Sequence, residues 1–313
     1  MSAPAGTLPH PPSPGWRLLL GTIAFVAWAP PSLAGLPCAA LLAVAPDRSA
    51  RTRVAAGALG ATSLLLLMLP GGGRLGAVIS AYIVLLTAAF AAGVVLAPAR
   101  FLRQALRAAL AAGAVTALLA QLLWGSSAWG ALAWEATRDA GRAMRFIVER
   151  RPDAYTLYEP VVRFVSVTTP GMLALQTFAG LALAWQWHGR LAVRPLGPPL
   201  APFREFRIAD GWVWGVVAWL GLLAAPVSGA LHVAGASLGL VLGTLYVLRG
   251  AAIALAFAAA LGVSATTLVI AAVVAAALAL PLLFLIPGLC TLGITDTWYE
   301  YRRRLAARRS NAT

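Results

Sequence analysis

Residues 235–262, GASLGLVLGTLYVLRGAAIALAFAAALG, are almost wholly apolar and carry a single charge, Arg249, near their midpoint. An apolar stretch of this length predicts a membrane-spanning helix. At about 1.5 Å per residue, Arg249 falls about 20 Å from either end, near the centre of the hydrocarbon. A guanidinium facing lipid there is unfavourable by about 2.5–3.5 kcal/mol, so it is expected to turn inward, toward protein or a ligand.

The rest of the chain repeats this pattern. It is 60% hydrophobic and 11% charged, where a soluble domain carries about 25% charged residues. The expected fold is therefore all-α, a polytopic membrane helix bundle of eight or nine transmembrane helices with one outer amphipathic helix. The net charge of +14 comes from arginine alone. Its residues cluster in short loops between apolar runs, which is the positive-inside pattern and argues against nucleic acid as a partner. Cys38 and Cys290 lie inside apolar runs with no CxxC spacing, so neither a disulfide framework nor a metal site is expected.

Residues 1–15 hold five prolines and read as a flexible tail. The run after it ends in Ala27-Trp28-Ala29, but Pro30 obstructs cleavage there, so the segment is expected to be retained. Leu18–Val44 is interrupted at Pro30-Pro31 and supplies either one kinked helix or, as favoured, a hairpin of two short ones. Arg48, Arg51 and Arg53 then mark a cytoplasmic loop. Val54–Leu69, a turn at 70–73, Leu75–Ala97, a loop with Arg100, Arg103 and Arg107, and Ala108–Gly125 follow in alternation.

The stretch Trp129–Arg151 differs. Apolar residues recur at Leu132, Ala136, Ala140, Ala143 and Ile147, beside a stripe of charges that pair at one-turn spacing, Glu135 with Arg138 and Asp139 with Arg142 among them. An interfacial helix anchored by Trp124, Trp129 and Trp134 is expected, with a lid over a cavity as the functional alternative. Pro160–Trp187, Gly211–Ala225, 235–262 and Ala265–Gly288 complete the crossings. The membrane domain then covers 16–298 and a basic tail covers 299–313. Three crossings after Asp210 would leave that tail outside, against the positive-inside rule. A bend at Arg249-Gly250, a re-entrant segment at Pro287–Asp296, or an exception to the rule would each resolve the count.

No catalytic set, nucleotide loop or cofactor motif is legible, so an enzyme is not the expected reading and no cofactor is implied. Gly235, Gly239 and Gly243 lie on one helix face and predict close packing, within this chain rather than between copies. Arg249 is the sharpest candidate for substrate binding, with Tyr246 one turn earlier. Asp210 and Asp296, at helix ends, reach it if those helices adjoin. Gln121 and Gln176 read as hydrogen-bonders between helices.

Three stretches, Phe203–Asp210 (FREFRIAD), Leu245–Ile253 (LYVLRGAAI) and Gly293–Arg302 (GITDTWYEYR), in that order resemble the YybS-like family of predicted bacterial membrane proteins of unknown function. The resemblance covers mainly 203–304. It departs from the family pattern at Phe206, Ala209 and Arg249, the last standing where an amide is common. The family is remotely similar to substrate-binding membrane subunits of energy-coupling-factor transporters and to the rod-shape membrane protein. The resemblance thus implies one of two roles in the cytoplasmic membrane. One is a small-molecule-binding subunit of a transport system, built on Arg249, Tyr246 and Asp210 and docked on an energising ATPase. The alternative is a non-transporting scaffold that binds envelope-assembly proteins.

Overall fold

Proline and glycine break an apolar chain where their backbone chemistry requires it, and here they separate one helix from the next. The computed structural model describes residues 15–304 apart from 47–48, 70–72, 98, 151–154, 226–228, 265–266, 268–269, 272–273, 275–279 and 302. The helices are α1 (Gly15–Trp28), α2 (Ser32–Val44), α3 (Ala50–Met68), α4 (Gly73–Leu96), α5 (Phe101–Trp124), α6 (Ala128–Arg150), α7 (Tyr155–Leu191), α8 (Val213–Ala224), α9 (Ala230–Ala260) and α10 (Leu280–Tyr299). No strand occurs among the described residues. The proline-rich tail up to residue 14, Arg48, the 70–72 turn, most of 265–279 and the basic tail from 305 lie outside them.

Among the described residues, four helical segments are long and apolar enough to cross a membrane: Gly73–Leu96, Phe101–Arg142, Tyr158–Leu191 and Leu231–Ala260. Gly15–Trp28, Ser32–Val44 and Asp210–Ala224 are shorter apolar helices. Large side chains such as Met68, Leu96, Trp214 and Phe284 stand exposed on the surface. In water this surface would be a liability; in a bilayer it is the side that meets solvent.

The run Leu18–Val44 is two short helices broken at Pro30-Pro31, as the favoured reading had it, rather than one kinked helix. Two other readings do not hold. Helix α9 passes unbroken through Arg249-Gly250, so the bend that would have supplied two short passes is absent. Helix α10 continues through Pro287 to Tyr299, where an end at Gly288 was expected. In hydrocarbon no water competes for backbone groups, so a proline bends a helix more readily than it ends one. Thr291 and Thr295 also return their hydroxyls to the Pro287 and Thr291 carbonyls, both at 2.8 Å.

The chain divides into two compact units, Met1–Tyr155 with Ala174–Leu200, and Thr156–Leu173 with Ala201–Thr313. In the first, α2 packs on α3 and α4, and α4 on α5. Leu33, Leu41, Ile83, Leu86, Phe90 and Leu181 are buried there. Polar side chains fasten the helices: Tyr82 to Thr177 at 3.1 Å, Trp187 to Thr22 at 3.0 Å, and Gln176 to the Trp28 carbonyl at 2.6 Å. That last bond serves a carbonyl at the end of α1, where the break leaves carbonyls without intrahelical donors. Gln121 accepts from the Trp129 indole at 3.1 Å, linking α5 to α6.

Helix α6 is held by one residue in particular. The Glu135 carboxylate accepts hydrogen bonds from the Arg74 and Leu75 N–H groups, at 3.2 and 2.6 Å. It therefore caps α4 from another helix, satisfying first-turn donors and meeting the positive end of the dipole. Gly73, at φ +54°, makes room; a Cβ there would press on that carboxylate. Glu135 is thereby drawn away from its expected pairing with Arg138, which instead lies 5.3 Å over the Trp134 ring. Asp139 and Arg142 do pair, at 3.3 Å. Glu135→Ala is expected to cost about 1 kcal/mol, the typical value of a lost cap. Hydrogen exchange should quicken in the first turn of α4 and along α6 while α9 is unchanged. Unaltered exchange in α4 would show that the cap carries no stability.

Candidate functional site

The second unit is organised by reciprocal glycines. A Cβ on Gly250 of α9 would overlap the Leu289 carbonyl of α10, and one on Gly293 of α10 would overlap the Tyr246 carbonyl of α9. Small residues let membrane helices approach to backbone contact, where dispersion and Cα–H contacts replace the missing hydrophobic drive. Elsewhere on α9, Gly235 lies against Leu222 and Gly239 against the Trp219 indole, both of α8, whereas Gly243 meets nothing within 4 Å. Two of the three residues in the GxxxGxxxG pattern thus serve packing within the chain. On another side, Gly171 of α7 lies against the backbone at Ser237.

The close crossing of α9 and α10 brings Arg249 to Asp296. Arg249 is 0% exposed and Asp296 4%. The guanidinium donates to one Asp296 oxygen through Nε at 3.1 Å, with Nη2 3.0 Å from the same atom. Nη2 also donates to Asp210 at 3.0 Å, from the short 3-10 turn Asp210–Trp212 that leads into α8. The other Asp296 oxygen accepts from the Tyr301 N–H at 3.0 Å, just beyond the end of α10. Glu300, between them, adopts φ +44°, a left-handed conformation that turns the chain back at the helix end.

Around this buried pair the charges continue outward. Arg207 donates to the second Asp210 oxygen at 3.0 Å and stands 4.0 Å from Glu300, which in turn accepts from Arg303 at 2.8 Å. Arg207, Arg249 and Arg303 thus meet Asp210, Asp296 and Glu300, and the formal charges cancel. The Asp210 side chain is 45% exposed. What burial it has opposes ionisation, but the Arg249 hydrogen bond and the nearby Arg207 outweigh it and hold the carboxyl below the usual carboxylate range.

Among the described residues, four buried donors in this unit are left over, Trp219 Nε1 and Thr297 Oγ1 among them, and two belong to α9 beside the cluster. Arg249 Nη1 and the Tyr246 hydroxyl have no hydrogen-bond partner among the described residues. They lie one turn apart on α9 and interact electrostatically. The cavity bordered by Arg207, Asp296, Glu300 and Arg303 measures about 30 Å³, room for about one water. Arg249 and Asp296 form the buried end of the cluster, and Asp210, Arg207 and Glu300 its partly exposed edge.

The structure brings together Arg249, Tyr246 and Asp210, each singled out from the sequence. Asp296, also named from the sequence as an acid within reach, is the principal partner of Arg249, and the structure adds Arg207 and Glu300 behind. Gly250 and Gly293 could not be recognised as a pair from sequence, because they lie 43 residues apart (293 − 250) and neither belongs to a spaced glycine motif. The stretches 203–210, 245–253 and 293–302 converge on this one cluster.

No curated protein and no solved structure matches the chain. Residues 153–297, which include Asp210, Tyr246, Arg249 and Asp296 and stop short of Glu300, match the family described as predicted membrane protein (DUF2232).

Proposed function

We propose that the chain is a small-molecule-binding subunit of a transport system in the bacterial cytoplasmic membrane, with Arg249, Tyr246 and Asp210 as its polar site. The observation that carries this reading is the pair of buried donors, Arg249 Nη1 and Tyr246 OH, that the chain itself leaves without acceptors. An unpaired buried donor costs about 1–3 kcal/mol, and folded proteins seldom leave two on adjacent turns unless something else satisfies them. Two carboxylates already neutralise the guanidinium, so the cargo offers hydrogen-bond acceptors rather than a full negative charge. Asp210 is the exposed edge through which it enters. The remote resemblance to energy-coupling-factor subunits points the same way, and an ATPase partner would supply the energy.

A second reading is a scaffold of envelope assembly. What favours it is that Nε and Nη2 of Arg249 are taken up by Asp210 and Asp296, as a brace between helices requires.

The tagged protein, purified in mild detergent, separates the two by mass spectrometry of bound proteins and metabolites. An ATPase pair with a reproducible metabolite is expected; envelope-assembly proteins with no metabolite would replace the first reading by the second. Tyr246→Phe then tests the site. It removes an unpaired hydroxyl, so stability should hold, while affinity for the metabolite falls about tenfold, the value of one buried hydrogen bond. Unchanged affinity would remove Tyr246 from the site.

A further inference from the structure

The break between α1 and α2, in the first unit, opens on a cavity of about 260 Å³ that the Arg249 cluster does not use. Pro30, Pro31 and Ser32 form one end of it. Its walls are apolar, with Leu66 and Leu69 from the end of α3 and Ile79 and Ile83 from α4.

The proline pair shapes the polar end. Pro31 precedes α2 with no side chain able to cap, so the first N–H of the helix, on Ser32, has no backbone acceptor; the next three bond back to Pro30 and Pro31. Ser32 itself is 2% exposed. Neither its hydroxyl nor that of Ser80, which also lines the cavity, makes a hydrogen bond among the described residues. This departs from the chain's habit: Thr22, Thr87, Thr168 and Thr291 each return their hydroxyl to the carbonyl four residues back. The hydroxyl of a buried residue that lines the cavity, at the uncapped start of a thirteen-residue helix, provides a donor beside the positive end of a dipole. No arginine lines the cavity, so a doubly charged phosphate has no counter-charge there. At 260 Å³ it is also smaller than the roughly 300–1,000 Å³ of drug-sized sites, which suits a small molecule.

We propose that this cavity binds a small apolar carboxylate, with the carboxylate on Ser32 at the start of α2 and the hydrocarbon against α3 and α4. The site is independent of the Arg249 cluster, and its test does not depend on transport.

The probe is radiolabelled octanoate, measured by equilibrium binding to the full chain in nanodiscs against empty nanodiscs. Saturable binding above the empty discs is expected. Ser32→Ala should weaken it about tenfold, the worth of a hydrogen bond to a charged group. Octanol, which keeps the hydrocarbon and loses the charge, should compete at least tenfold less well than unlabelled octanoate. Ser80→Phe should fill the cavity and abolish binding, with elution profile and helical circular dichroism unchanged. No saturable binding would overturn the proposal. Equal competition by octanol, or unchanged affinity in Ser32→Ala, would show a merely apolar crevice and also overturn it. So would a phospholipid that co-purifies with the wild type, is missing from Ser80→Phe and is not displaced by octanoate. The Ser32→Ala and octanol comparisons decide the matter even where Ser80→Phe fails to fold.

Discussion

Gly250→Val is expected to destroy the second unit, with a cost of about 3 kcal/mol or more. Its Cβ would overlap the Leu289 carbonyl, which is backbone and cannot swing aside as a side-chain tip would. Overpacking against movable side chains already costs about 1–3 kcal/mol. Here α9 and α10 must separate, and separation takes Asp296 away from Arg249 and leaves both charges buried or wet at the wrong depth. The measurement is the thermal midpoint and elution profile in detergent. Gly243→Val is the control: it lies two turns away on the same helix with nothing within 4 Å of its Cβ. It carries the same change in helix propensity and none of the overlap. Equal behaviour of the two variants would show that α9 and α10 do not meet at their backbones.

The second large effect is an asymmetry between the two acids that hold Arg249. Arg249→Met leaves Asp296, 5% exposed at its side chain, without its counter-charge. Breaking a buried pair from one side costs about 3–5 kcal/mol. Asp296→Asn should cost a comparable amount, because the guanidinium is then left with only the half-exposed Asp210. Asp210→Asn should cost about 1 kcal/mol or less, as solvent screens an exposed carboxylate. Combining Arg249→Met with Asp296→Asn should recover more than half of the loss, since an uncharged pair of similar volume often replaces a buried ion pair with little penalty. A double-mutant cycle on equilibrium unfolding in mixed micelles measures this coupling. Strict additivity of the two substitutions would mean that Arg249 and Asp296 do not depend on each other.

Much of the fold was legible because each helix in a bilayer must satisfy its own backbone. A length of apolar sequence between charged or proline-rich segments then reports a helix almost directly. Helices α4 and α6 begin and end close to where hydropathy places them, and α5 and α9 end there; α5 starts at Phe101 rather than Ala108, taking Arg103 and Arg107 out of the expected loop, and α9 starts at Ala230 rather than Gly235. The amphipathic α6 was readable from its stripe of charges, but its attachment was not. Glu135 looked like an i,i+3 partner for Arg138, and only the arrival of the α4 N-terminus offers it two backbone donors. The end of α10 was misread because Pro287 and Gly288 signal a stop in water, whereas hydrocarbon keeps the helix going to Tyr299.

At the candidate site the division is similar. That Arg249 needs a partner followed from the energy of a charge at the centre of an apolar helix. Asp210 and Asp296 were the acids within reach in principle. Which of them is buried with it, and which remains at the surface, depends on how closely α9 and α10 cross.

What the sequence determined by itself is therefore the class of the molecule, the extent of most helices and the existence of a buried charge in want of a partner. All three rest on local quantities, apolar length and single-residue transfer energies. What only the tertiary structure decided is the pairing. Gly250 against Leu289, Gly293 against Tyr246, Asp296 on Arg249 and Glu135 on α4 are contacts between residues 39 to 62 positions apart, counting from 250 to 289 and from 73 to 135. Such contacts are set by the depth and angle at which helices cross, which no local pattern encodes.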